Sequence, residues 1–265
     1  MNIINIKNKT DLLQHRDNIE NLFFESFGRR AIGDVWDWAY LDNPNGEPFV
    51  SLCYEGGVLV GHYAIVPMPL SSQQQRENSY ISMTTMVAES HRKYGLFTTL
   101  AQENYKIASE AGVDFVMGFP NTQSTPGFKK RLGWNLPDSD YVAKIDKDML
   151  SGLVKAGYFD KRDKLGLNLS DVKLREWRLS RPGGTYQMVG GLAYKEHQGS
   201  IDLIWWENSD ALLTLPDTSG INVLVTAQSG LDQHKVFDYQ FGGISLCSQF
   251  SPHLINREMA ISDLF

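Results

Sequence analysis

The run His91-Arg92-Lys93-Tyr94-Gly95 sets two cations and a glycine directly before Leu96, where a helical pattern begins. A helix N-terminus presents unpaired backbone N–H groups and the positive end of the helix dipole. A glycine there lets the backbone come close to a ligand. Arg92 and Lys93 add charge, and Thr98 and Thr99 add hydroxyls in the first turn. The chemistry indicated is the holding of a phosphate or pyrophosphate. Neither G-x-x-x-x-G-K-[ST] nor G-x-G-x-x-G occurs in the chain, so two common nucleotide loops are excluded. What remains is Arg92-x-x-Gly95-x-Phe97.

The flanking elements must place that loop. Tyr80–Ala88 reads as a strand and Leu96–Ala111 as a helix, with Phe97, Leu100, Ala101, Ala108 and Ala111 on one face and Gly112 after it. Val113–Phe119 is almost wholly apolar, as a strand covered on both faces must be. Residues 80–119 thus form a strand–helix–strand crossover with parallel strands. Upstream, Asn2–Ile6 alternates as a strand and residues 10–27 carry a helical period ending at Gly28. The segment Val35–Leu41 carries Trp36, Trp38 and Tyr40. Phe49–Tyr54 and Val58–Val66 are strands joined by the turn Glu55-Gly56-Gly57. A helix over Pro126–Leu132 follows the crossover.

A weak echo links the two halves. "WAYLDNPNGEPFV" begins at Trp38 and "WRLSRPGGTYQMV" at Trp177, each running from Trp through Pro and Gly into an apolar strand. A glycine-containing turn then leads to a further strand: Glu55-Gly56-Gly57 in the first case, His197-Gln198-Gly199 in the second. The anion loop has no counterpart after Trp177, so a second copy would lack its chemistry. Domains are expected at 1–148 and 149–265.

Bulk properties narrow the function classes. The chain has 265 residues, 42% of them hydrophobic, and a net charge of −6, which argues against a general nucleic-acid surface. Cys53 and Cys247 have neither pairing nor metal spacing and read as reduced, mostly buried thiols. No metal is expected. The N-terminus lacks a signal-peptide pattern, and the longest apolar stretch, Val58–Leu70, is broken by His62 and two prolines. The expectation is a cytoplasmic protein that does not associate with membranes.

Arg92-x-x-Gly95-x-Phe97 resembles the pyrophosphate loop of the GNAT superfamily of acyl-CoA N-acyltransferases, Arg/Gln-x-x-Gly-x-Gly/Ala, with Phe97 in place of the last small residue. The resemblance extends over about residues 1–145 and includes "PGFKKRLGW" as terminal helix and turn. It implies an α+β GNAT fold: a mixed central sheet with splayed parallel strands, followed by a degenerate GNAT-like half. It implies acyl-CoA as cosubstrate. Met86, Val87 and Ala88 would face the pantetheine arm, and Arg92, Lys93, Tyr94, Gly95, Leu96, Phe97 and Thr98 the pyrophosphate. Asn121 falls where a family asparagine often touches the cofactor. The thioester would lie where Val113–Phe119 splays from the preceding strand.

Acyl transfer needs a neutral amine, a positioned thioester and a donor for the tetrahedral oxyanion. The Val87 N–H is the expected donor. His62 is the first expectation for a base, followed by Glu89 and Glu25, although His62 equally suits a hydrogen-bonded core position. The family's leaving-group tyrosine is missing from Gly127-Phe128-Lys129-Lys130, so water or a tyrosine from elsewhere must serve. Trp36, Trp38, Tyr40, Arg29 and Trp206 are the expected acceptor contacts. The full pattern resembles sugar N-acyltransferases, which implies a nucleotide-linked amino sugar as acceptor, of the dTDP-amino-dideoxyhexose kind used in surface polysaccharides. A protein lysine or an aminoglycoside as acceptor, and a non-catalytic acyl-CoA binder, are the alternatives.

Overall fold

The computed structural model describes residues 1–28 and 33–262. Its first unit starts with β1 (Asn2–Ile6), then two short helices, α1 (Lys9–Leu13) and α2 (Arg16–Phe27). The single helix read over 10–27 is therefore interrupted at Gln14-His15. Asn8 supplies the N-cap, its side chain accepting from the Asp11 N–H, so α1 starts at Lys9, one residue before the expected start. The Trp-rich segment forms α3 (Gly33–Tyr40), with Trp36, Trp38, Ala39 and Tyr40 buried. The hairpin β2 (Phe49–Glu55) and β3 (Val58–Pro67) follows.

The chain then leaves this unit for residues 70–77, which carry a two-stranded ribbon, β4 (Leu70–Ser71) and β5 (Arg76–Glu77). It returns with β6 (Ser79–Val87), the crossover helix α4 (Leu96–Glu110), β7 (Phe115–Gly118) and α5 (Thr125–Arg131). The helix α4 buries Leu100, Ala101 and Ala108 on the stripe that its period marks.

The second unit contains β8 (Tyr141–Ile145), α6 (Lys147–Lys155), α7 (Val172–Leu179) and strands β9 (Tyr186–Val189), β10 (Leu192–His197), β11 (Ser200–Trp206), β12 (Ile221–Val225) and β13 (Lys235–Asp238). Asp146 and Asp171 cap α6 and α7. Arg178 of α7 is wholly buried and donates to the carbonyls of Ala260 and Ser262, at 2.6 and 3.0 Å, which ties the C-terminal segment to the helix. The last strand, β14 (Gly242–Ser245), belongs to the first unit.

Each unit holds a six-stranded sheet, in the orders β1-β2-β3-β6-β7-β14 and β13-β8-β12-β11-β10-β9. In each, one neighbouring pair is parallel, β6–β7 in the first and β11–β12 in the second; the remaining pairs are antiparallel. The echo has a structural basis: α3 precedes the β2–β3 hairpin as α7 precedes the β9–β10 hairpin. The turn equivalent to Gly56-Gly57 is Gly190-Gly191, one strand earlier than His197-Gln198-Gly199, because the glycine pair breaks what reads as one apolar run. Between the second parallel pair the crossover shrinks to a 3₁₀ turn, Ser209–Thr214, which offers no helix N-terminus for an anion.

The two sheets exchange closing strands. The strand that follows the first crossover, β8, pairs with β12, whereas β14, which follows the second, pairs with β7. Gly243 makes the second pairing possible: a Cβ there would lie 2.4 Å from the Val116 carbonyl oxygen and 2.8 Å from the Phe250 ring. Replacing Gly243 with valine should therefore cost about 2–3 kcal/mol through overpacking. Urea unfolding would measure that loss, and amide exchange should accelerate in Phe115–Gly118 well before Ile221–Val225; uniform acceleration would disprove the closing role of this glycine.

Candidate active site

At the end of β6, pairing with β3 stops when the Ala88 N–H donates to Val60 O at 2.9 Å. A 3₁₀ turn over Glu89–Tyr94 then delivers the chain to Gly95, whose φ of +73° lies in the left-handed region that favours glycine. From there α4 begins. The Gly95 carbonyl accepts from the Thr98 and Thr99 amides at 3.0 and 3.2 Å. The amides of Gly95, Leu96 and Phe97 have no backbone acceptor among the described residues, as the first turn of a helix requires. Arg92, Lys93 and Tyr94 are exposed around them. The Lys93 ammonium lies 5.3 Å from the Tyr94 ring centre, and Arg92 Nε donates to Val87 O at 3.4 Å. His91 Nε2 reaches Glu55 at 2.8 Å, tying the loop to the β2–β3 turn and holding the Glu55 carboxyl below its usual range. Thr99 Oγ1 donates back to the Gly95 carbonyl, leaving Thr98 as the hydroxyl of this turn without a hydrogen bond among the described residues.

Phe97 departs from the small residue expected at this position, yet its side chain leaves the loop. The ring packs edge-on against Tyr63 and Phe128, with centroids 6.4 and 5.3 Å apart. Gly127 makes room for it, since a Cβ there would stand 3.1 Å from the Phe97 ring.

The parallel strands separate beside the loop. Pairing between β6 and β7 is confined to Ser79–Ile81 against Phe115–Met117, while β6 continues to Val87. Backbone N–H groups alternate sides along a strand. The Ala88 N–H points to β3, so that of Val87 points to the open side. This places a free donor beside the gap, one residue from the anion loop. Met86 is buried, and Val87 and Ala88 are half-buried. Asn121 lies past β7, but its side-chain oxygen accepts from the Gln123 and Ser124 amides at 3.1 and 2.9 Å, so it is committed to starting α5.

His62 occupies β3 opposite a bulge in β6, where the pairing slips between His62 and Ala64 and Thr84 takes a φ of +53°. Its ring is fully buried, with Nδ1 2.7 Å from the Thr84 carbonyl oxygen. A carbonyl only accepts, so Nδ1 carries the proton and Nε2 is a bare lone pair without a partner among the described residues. Burial lowers its pKa to about 4. An amine near pH 8 would lose about 5 kcal/mol in handing a proton to such an imidazole. His62 thus pins the bulge and presents a neutral acceptor; as a base it is weak.

The Tyr40 ring lies 6.5 Å from His62 and 5.3 Å from Trp36, centre to centre. Trp36 Nε1 is buried without a hydrogen-bond partner among the described residues. Arg16 stands 5.1 Å over the Trp36 ring and is paired with Asp37 at 3.0 Å. Trp38 is buried in the same helix. Glu89 is exposed at the start of the loop turn, and Glu25 is exposed on α2, lining a cavity of about 300 Å³ with Gly57, Val58 and Leu59. Arg29 lies outside the described residues. Trp206 belongs to the second unit, where its Nε1 donates to Phe159 O at 3.1 Å.

Two features escaped the sequence. One is the bulge at Thr84. The other is a buried chain in which Ser82 and Trp134 donate to Tyr63 and Tyr105 at 3.1 and 2.8 Å, while the two tyrosine hydroxyls lie 2.6 Å apart. Burial drives both tyrosines well above their ordinary pKa, so neither is suited to protonating a thiolate, and the chain acts as a tie between β3, β6 and α4. No local pattern joins residues 42 positions apart. Cys247 is exposed rather than buried, its Sγ 3.4 Å from Ser109 O.

The acetyltransferase (GNAT) domain family matches residues 13–136. Among solved structures, a conserved protein of Enterococcus faecalis described as a probable N-acyltransferase superposes with a TM-score of 0.63 at 10% identity, over 93% of this chain and 74% of its own. A GCN5-related N-acetyltransferase from Kribbella flavida gives 0.59 at 14% identity, over 93% and 72%. Eis1 from Mycobacterium abscessus gives 0.58 at 11%, over 93% and 74%. At these identities the likeness is one of fold, and it takes in both units. No curated protein matches the sequence. Residues 13–136 match the acetyltransferase (GNAT) domain family, and the fold of the chain is the α+β GNAT fold with a second, GNAT-like half.

The titration of His62 can be read as stability. The unfolded imidazole binds its proton near pH 6.5 and the folded one near 4, so stability falls as the pH drops through that window. Between pH 7 and 4.5 the loss should be about 2 kcal/mol. Urea titrations at both pH values should show His62→Gln losing less than the parent by that amount; identical losses would mean that His62 is not held neutral.

Proposed function

We propose that the chain transfers an acyl group from acyl-CoA to the amine of a nucleotide-linked amino sugar, of the dTDP-amino-dideoxyhexose kind used in surface polysaccharides. The carrying observation is the free Val87 N–H on the unpaired half of β6, next to the three open amides at Gly95–Phe97. Those amides, with Arg92, Lys93 and Thr98, suit the coenzyme's pyrophosphate. The pantetheine arm then runs along Met86–Ala88 as an added strand, and the thioester oxygen meets the Val87 amide. The neutral amine attacks the thioester carbon, the oxyanion is held by that N–H, and the C–S bond breaks as the oxyanion collapses. Most of the acceleration is positional. The amine gives its proton to water, because His62 is too weak a base and Glu89 and Glu25 are exposed. Solvent then protonates the thiolate.

The nature of the acceptor rests on the surroundings of His62. A lysine or aminoglycoside is a cation and calls for unpaired carboxylates. Here the Asp37 carboxylate is ion-paired with Arg16, and the buried side-chain atoms without a hydrogen-bond partner among the described residues include a neutral imidazole nitrogen and an indole N–H. Such groups suit an uncharged, hydroxyl-bearing ligand.

Gly95→Asp should weaken acetyl-CoA binding by about tenfold or more by setting a carboxylate against the pyrophosphate. Gly95→Asn accepts the same positive φ without the charge and should bind nearly as the parent does. Calorimetry that finds the two variants alike would reject the loop assignment. In a thiol-release assay, dTDP-amino-dideoxyhexoses should be acylated while lysine peptides and aminoglycosides are not; the opposite preference would overturn the choice of acceptor.

A further inference from the structure

The second unit has no counterpart of the anion loop among its described residues, yet it is not chemically blank. Two cavities lie in it, of about 260 and 540 Å³, and Lys164 and Asn256 line both. Six of the charged groups around them are spent on one another, in three pairs. Arg257 Nε donates to Asp140 at 2.5 Å, Arg162 pairs with Asp160 at 2.5 Å, and Lys161 pairs with the fully buried Glu258. Lys161 is further fixed 4.7 Å over each of the Trp205 and Trp206 rings.

Lys164 stands apart from this pattern. Its ammonium is half-buried and makes no hydrogen bond or ion pair among the described residues, although Asp160 attracts it from farther off. The Arg257 guanidinium lines the smaller cavity with it; its Nη1 is committed to the Pro252 and Ile255 carbonyls at 2.8 Å each, and its Nη2 has no partner among the described residues. Two cations lining one cavity, one of them unpaired, repel each other, and an anion between them offsets that cost. Of the remaining carboxylates, Asp138 and Glu207 are exposed, one on each cavity.

The larger cavity adds a second kind of contact. Ser72 and Asn168 accept backbone N–H groups with their side-chain oxygens, and so does Asn208. That leaves one hydroxyl proton and two amide NH₂ groups as donors on the cavity wall. Its volume lies within the range of small-molecule sites, about 300–1,000 Å³.

We propose that the second unit carries its own binding site for an oxyanion-bearing, polyhydroxylated small molecule: a sugar phosphate or a sugar acid. The oxyanion sits against the Lys164 ammonium and Arg257 Nη2. The ring hydroxyls take up the donors of Ser72, Asn168 and Asn208. This site is independent of the acyl-CoA loop.

The full-length protein should be titrated by calorimetry with glucose 6-phosphate, glucuronate and glucose. Saturable binding of at least one of the two anions, with glucose at least about tenfold weaker, is expected; preference between the two tells phosphate from carboxylate. Lys164→Met should weaken the bound anion by about tenfold or more while leaving the melting temperature unchanged or higher, since it removes a desolvated charge. Gly95→Asp should leave this binding intact, so failure of the acyl-CoA reading and failure of this one are separable. Absence of saturable binding by either anion overturns the proposal. So does affinity indifferent to Lys164→Met, or lost in Gly95→Asp.

Discussion

Everything in the first unit depends on where two parallel strands stop pairing. β6 and β7 share a ladder only through Ile81 and Met117. Beyond that, one side of β6 has backbone donors and acceptors with no strand to receive them. A buried peptide group left unpaired costs free energy comparable to a lost hydrogen bond. Such a gap therefore persists in a fold when an extended ligand can complete the ladder, and the loop at Gly95 fixes the direction from which that ligand enters. The β6 bulge and its His62 pin are part of the same constraint: they turn the end of β6 relative to β3 while keeping the Thr84 carbonyl satisfied.

Closing the far edge is handled by exchange. β7 would present a naked edge, which in an isolated sheet invites association. Here the edge is taken by β14, which follows the second unit in sequence, and the corresponding edge of β12 is taken by β8. The first sheet is thus complete only with residues 242–250, which follow the second sheet in sequence. The second unit joins its parallel pair through a 3₁₀ turn in place of a crossover helix, and the polar centre around Lys164 and Arg257 lies in a different part of that unit.

The buried polar groups divide by what they do. Tyr63, Tyr105, Ser82 and Trp134 satisfy one another, and Arg178 satisfies backbone carbonyls; these bind elements together. His62 Nε2 and Trp36 Nε1 are satisfied by nothing among the described residues. Native interiors contain few such atoms, and they concentrate where a ligand or water is received.

Local chemistry made much of this legible in advance. Gly95 between two cations and an amphipathic stretch reads as a strand-to-helix turn with open amides, and the nearly apolar run Val113–Phe119 as a covered strand, which the structure places at Phe115–Gly118. Spacing also carried the echo between Trp38 and Trp177, because a helix, a turn and a hairpin are each encoded within a dozen residues. What the chain alone could not express are relations between distant positions. The break at Gln14-His15, the slip at Thr84, the inward turn of Phe97 and the depressed pKa of His62 each follow from neighbours brought together by packing. The same holds for the traded strands: β8 and β14 have the composition of any short strand, and only the free edges of β12 and β7, created elsewhere in the fold, decide which sheet each one joins.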